Sequence, residues 1–202
     1  MNQVSFRTAI IEFIERNAKP PDKFSHQARL YALAVELAEG QAFDDDVVFA
    51  AAWMHDLGVF IGHRPEDLQT LAAWDHLAYV LDRAPRLLTD AGFPTHKIPA
   101  VLEAIRTHMP ASEPVTFEGS LVRDADILEQ LGAVGILRTV SKVGRDTRLV
   151  RFSDALCILR RNLAELPAKL RLESARKRAV TRSEALRRFL DAAGAETGPI
   201  PW

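Results

Sequence analysis

Apolar side chains recur at spacings of three and four almost throughout this chain, and no stretch sustains an alternation of period two. That rhythm belongs to helices that each bury one face, and it leaves no segment from which to build a sheet. Phe6, Ile10, Phe13 and Ile14 form one stripe, which ends before Pro20 and Pro21. Ser25 is placed to cap a helix over about 26–39 that carries Leu30, Leu33, Ala34 and Leu37 and is closed by Gly40. The next segment, VVFAAAWMHDL, is apolar almost all round and is expected at the centre of the fold. Asp44, Asp45 and Asp46 supply the negative charge that a helix start favours, and Gly58 ends the segment.

Residues 59–66 read as a loop. A helix is expected from about Asp67 to Arg83, with Pro85 and the Gly92-Phe93-Pro94 turn breaking the pattern. Further helices are expected over 97–108, stopped by Pro110, and over 119–140, interrupted at Gly132 and Gly135. Two more follow at about 153–165 and 168–192. Neither a repeat nor a long linker divides the series. The pattern predicts an all-α bundle: an N-terminal helix in residues 1–20, a single helical domain over 21–192 with a long C-terminal helix, and a flexible tail at 193–202.

Composition narrows the function classes. With 202 residues, 48% of them hydrophobic, the chain can bury a core without covalent staples. A lone cysteine, Cys157, excludes an intramolecular disulfide and every Cys-based zinc site. No apolar run approaches the roughly 18–20 residues of a transmembrane helix. The opening MNQVSFRTAIIEFIERN carries acids within its apolar stretch and shows no cleavage signal, so no membrane partner and a cytoplasmic location are expected. A net charge of −1 conceals an uneven distribution, because residues 141–189 hold most of the basic side chains. The aromatic interleaving of a nucleic-acid track is missing there, so the basic segment reads as a solvated helical face with no specific nucleic-acid partner, the alternative being a phosphate-attracting flank beside an acidic, cation-binding half. An oligomer stays open.

The histidines carry more information than the charge. His55 and Asp56 end the most apolar helix of the chain, where an imidazole beside a carboxylate is costly unless paired or metal-bound. Side chains at a helix end can both bend toward one ion. The plainer alternative is a helix cap at His55 and a loop amide on Asp56. His26 opens the helix before this pair. Asp126 follows in VRDADILEQLG, where Ile127, Leu128 and Leu131 supply an apolar face.

This order, a His, then His-Asp, then a distant Asp in an Ala-Asp-x-Leu setting, resembles the HD-domain superfamily of metal-dependent phosphohydrolases. The matching pieces are SHQARLYALAVELA, AAWMHDLG and VRDADILEQLGAVGILRT, and the likeness covers about residues 20–190. It implies an HD-type helical bundle with His26, His55, Asp56 and Asp126 as metal ligands and Asp124 as a residue that supports a ligand from behind or caps a helix, the nearer of the two acids staying open. Two imidazoles with two carboxylates suit Mn²⁺, Fe²⁺, Co²⁺, Ni²⁺ or Zn²⁺ better than Mg²⁺. Some HD families add two histidines between the His-Asp pair and the last Asp and hold two ions, usually iron. His76 and His108 fall in that interval, as ligands of a second metal, as phosphate contacts, or as an ordinary helix-face residue and a helix cap. His63 and His96 are read as surface residues.

The resemblance further implies a metal-activated water that attacks a phosphomonoester or phosphoanhydride of a small molecule, a nucleotide foremost, with Asp56 and His55 at the reacting centre. Arg29, one turn from His26, would hold the phosphate or else form a surface salt bridge. Lys23, Arg64 and Arg123 are weaker phosphate candidates, placed only by their nearness in sequence to a ligand. Arg138 either braces the fold through acidic partners or touches substrate. Two other classes share this core: a di-iron oxygenase of the inositol oxygenase kind, and a non-catalytic metal-binding module, against which the intact ligand quartet argues. Neither the Gly-Tyr-Pro signature of the cyclic-dinucleotide phosphodiesterases nor a synthetase domain like that of the guanosine-tetraphosphate enzymes is found in the chain, which makes those substrates less expected.

Overall fold

The computed structural model describes residues 5–145 and 149–197, the side chains of Asp22 and Leu68 apart. Among these residues the regular elements are helices: α1 (Phe6–Asn17), α2 (Asp22–Leu37), α3 (Asp45–Met54), α4 (Leu68–Ala72), α5 (His76–Asp90), α6 (Ile98–Arg106), α7 (Phe117–Glu129), α8 (Gly132–Val140), α9 (Phe152–Glu165) and α10 (Glu173–Thr197). The backbone forms two units, residues 1–123 and 124–202, with the division inside α7. None of the described helices is long and apolar enough to cross a membrane.

In the first unit α3 is the hub, in contact with α1, α2, α5 and α6. All eight residues from Val47 to Met54 are buried, the outcome its uniformly apolar sequence dictates. The Asp44 carboxylate caps the helix by accepting from the amides of Asp46 and Val47. Around this N-terminus, Arg7 of α1 donates to Asp45 and Asp46 at 2.7 Å each, and Lys97 Nζ reaches Asp44 and Asp46 at 2.8 and 2.9 Å. The aspartates therefore do more than satisfy the helix dipole: they pin α1 and the entry to α6 onto α3.

Several boundaries differ from those the sequence predicts. Ser25 does not cap α2, because the helix begins at Asp22, a turn earlier. Pro21 already has helical dihedrals (φ −56°, ψ −27°) and stands at the N-cap. A proline suits a helix start, where no amide donor is needed. The helix expected at 67–83 is two helices, since Asp67 accepts from Thr70 N and Asp75 from Ala78 N, each opening its own helix. Pro85 does not break α5, which runs on to Asp90 with Val80, Ala84 and Leu88 buried on both sides of the proline. That buried stripe holds the helix through a residue that would otherwise end it. Gly135 lies inside α8, where a Cβ would collide with the backbone of Gln130. Gly132 has φ +68°, the left-handed region in which glycine is favoured, and starts α8.

In the second unit α8, α9 and α10 pack on one another. The Asp124 carboxylate, fully buried, accepts from the amides of Arg171 and Leu172 at 2.8 and 2.7 Å, just before α10. Arg182 Nη1 donates to Leu128 O at 2.6 Å. On the exposed face of α10, Arg176 pairs with Glu173, and Arg187 and Arg188 pair with Glu184. Residues 193–197, at the start of the expected tail, continue α10, and 198–202 lie outside the described residues.

Candidate metal centre

The end of α3 changes backbone geometry within two residues. His55 caps the helix with dihedrals still helical (φ −54°, ψ −34°). Asp56 then adopts φ −95°, ψ 5° and opens a 3₁₀ turn over Leu57–Val59. This sparsely populated bridge conformation recurs at active-site residues. It lets two adjacent side chains converge: His55 Nε2 lies 3.6 Å from Asp56 Oδ1. From α2, His26 Nε2 comes within 3.8 Å of Asp56 Oδ2. One ligand atom from each of His26, His55 and Asp56 lies within 4.8 Å of the other two.

Both imidazoles of this trio are buried, while the Asp56 carboxylate keeps partial access to solvent. His55 Nδ1 donates to Ala52 O at 2.9 Å, which leaves Nε2, the atom facing Asp56, with the lone pair. A buried pair of imidazoles beside one carboxylate is a donor set that suits a divalent transition ion. The residues present fit such an ion.

Two further histidines adjoin the trio. The His55 and His108 rings are 5.1 Å apart, and those of His108 and His76 are 6.3 Å apart. His108 Nδ1 donates to Ile105 O at 2.6 Å, repeating the arrangement at His55. Burial pushes His76 below the ordinary histidine range, against the opposing pull of Asp56. Four histidines from α2, the end of α3, α5 and the end of α6 thus form a continuous series of rings in the first unit.

The remaining predicted residues are placed as follows. Arg29 is partly exposed on α2, three residues after His26. Arg64 lies in the turn after Val59, its amide bonded to Phe60 O. Arg123 is buried, and its Nη2 donates to Pro110 O at 2.8 Å, two residues beyond His108. Asp126 belongs to the second unit, where Gln130 Nε2 donates to its Oδ2 at 3.2 Å. Arg138 reaches Glu129 Oε2 at 3.8 Å and Asp126 Oδ1 at 4.0 Å. His96 is exposed. His63 is not the plain surface residue its loop position predicts, because its ring bonds both Tyr79 Oη (3.0 Å) and Asn17 Oδ1 (2.9 Å). The residue whose place the sequence understated is Lys23, with Nζ 3.3 Å from Asp56 Oδ2. Once α2 is seen to begin at Asp22, Lys23 and His26 are three apart on one helix and share a face.

The family model of the HD domain matches residues 24–131, more than half of the chain. The chain belongs to the HD-domain family. Among solved structures, this HD protein is similar to Bacillus subtilis YpgQ, with 22% identity over 100% of both chains and a TM-score of 0.73. The same YpgQ in complex with ADP gives 22% identity and a TM-score of 0.71, over 96% of this chain and 100% of that one. A predicted HD superfamily hydrolase from an uncultured Thermotogales bacterium is 26% identical over 98% of this chain and 97% of its own, with a TM-score of 0.62. No curated protein matches the chain.

Proposed function

We propose that this HD protein is a metal-dependent phosphohydrolase that cleaves a phosphomonoester or phosphoanhydride of a small molecule, a nucleotide foremost. The observation that carries the reading is the convergence of His26, His55 and Asp56 to within 4.8 Å. Asp126 enters the proposed ligand set on the sequence motif alone. The nucleotide class draws support from the ADP complex of YpgQ, a structural neighbour.

When bound, a divalent ion supplies a Lewis acid and lowers the pKa of its bound water toward about 7. The residues of the chain do the rest. His26 and His55 would present ring nitrogens to the ion, and the Ala52 carbonyl holds the His55 ring with Nε2 turned toward Asp56. Asp56, on its turn, would serve as the carboxylate ligand and could help to orient a water for attack. Arg29 offers a bidentate guanidinium to the phosphate. His76 and His108 supply two further imidazoles for phosphate or a second ion. The proposed location is the cytoplasm.

The test is metal analysis of the purified protein, followed by phosphate release from nucleotides and sugar phosphates before and after chelation. Activity lost with chelator and restored better by Mn²⁺ or Co²⁺ than by Mg²⁺ is the expected result. Phosphate release that is indifferent to chelation refutes the proposal. Counting ions in wild type and in His108→Ala separates one ion from two.

A further inference from the structure

Lys23 stands where a helix least favours a cation. It is the second residue of α2, in the first turn, where the macrodipole stabilises acids and opposes positive charge. Its Nζ instead lies 3.3 Å from Asp56 Oδ2, the same oxygen that His26 approaches at 3.8 Å. The side chain is only 19% exposed, so the pair is not a freely solvated surface bridge.

We infer that Lys23 is an exchangeable counterion of this centre. It neutralises Asp56 in the metal-free protein and moves to the substrate's phosphate once a dication takes the carboxylate. The inference rests on the phosphohydrolase reading above. Two cations cannot both draw fully on one carboxylate oxygen, so Lys23 opposes metal entry by direct repulsion. The same repulsion turns its ammonium toward any anion that arrives with the ion. Lysine suits that exchange better than arginine, being a compact charge on a flexible four-carbon stem.

The role has a two-signed consequence that a merely structural lysine does not share. Lys23→Met should bind Mn²⁺ more tightly than wild type, on the order of tenfold, because the competing charge is gone. The Mn²⁺-loaded variant should bind inorganic phosphate and ADP more weakly, on the order of tenfold or more, having lost a charge-assisted contact. Lys23→Arg should keep the wild-type sign of both effects. Lys23→Gln, which preserves a polar head without charge, should follow Lys23→Met. All four proteins are titrated calorimetrically, first with Mn²⁺ alone and then with phosphate or ADP, after circular dichroism shows which retain the fold. Unchanged Mn²⁺ affinity, or unchanged anion affinity, in the folded neutral variants overturns the counterion role and leaves the phosphohydrolase reading standing. Wild-type protein that takes up no Mn²⁺ or other transition ion overturns both.

Discussion

Gly58→Ala probes how tightly the candidate centre is built. Gly58 sits in the 3₁₀ turn directly after Asp56, and its carbonyl accepts from Trp74 Nε1 at 2.8 Å. Its φ is not left-handed, so glycine is required here by space rather than by backbone freedom. A Cβ at this position would meet His76 O at 2.5 Å and His76 Cα at 2.9 Å, where ordinary contact begins at 3.4 Å. The turn and the first residue of α5 would have to part by roughly 0.9 Å, and neither obstacle is a flexible side chain. Overpacking of this kind costs about 1–3 kcal/mol, offset by about 0.4–1 kcal/mol from the stiffer unfolded chain. At mid-range the net loss is about 1.3 kcal/mol, or a fall in Tm of roughly 3–5 °C for a chain of this size. Asp56 and His76 flank the displaced backbone, so Mn²⁺ affinity should fall too. Thermal melts of metal-free protein and calorimetric Mn²⁺ titration measure the two effects separately. A variant as stable as wild type with undiminished Mn²⁺ affinity would refute the reasoning, because the turn and α5 would then be separable at no cost.

Three other outcomes are expected. Asp56→Ala should abolish metal retention and phosphate release while leaving helical content intact, as read by elemental analysis and far-ultraviolet circular dichroism. Asp124→Ala should lose about 2–4 kcal/mol in denaturant titrations, because it strands two amides that now share one buried carboxylate oxygen. His63, held below its ordinary value of 6.5 by burial and by the charge of Arg83, favours the neutral form in the folded state. Its contribution to stability is therefore present above about pH 6.5 and is lost as pH falls below that value. Tm measured against pH should drop less steeply in this range for His63→Gln than for wild type, and parallel curves would count against the assignment.

The helical class and the central place of α3 were legible because an all-round apolar segment has only one destination. Boundaries were less legible where two local signals competed. Pro21 and Ser25 both mark helix starts, and the proline took the position because its dihedrals were already helical. Pro85 reads as a stop in isolation, and only the burial of Val80, Ala84 and Leu88 shows why the helix passes through it. At the centre, the His55-Asp56 pair alone left a plain helix cap open, and it was the order of His26, His55-Asp56 and Asp126, through its resemblance to the HD superfamily, that pointed to a metal centre. Lys23 was harder to weigh, because its nearness to Asp56 depends on where α2 begins. The hydrogen-bonded place of half-buried His63 was not legible because its partners, Asn17 and Tyr79, come from distant parts of the chain.

The carbonyls behind His55 and His108 carry a consequence for the choice of ion. Each ring is steered by a backbone oxygen from its own helix, Ala52 or Ile105, and not by an acidic side chain. A peptide oxygen aims the imidazole but raises its basicity less than a carboxylate does. If the proposed ion binds here, held more by direction than by donor strength, a neighbour in the transition series would replace it readily, and the metal recovered with the protein would follow the growth medium.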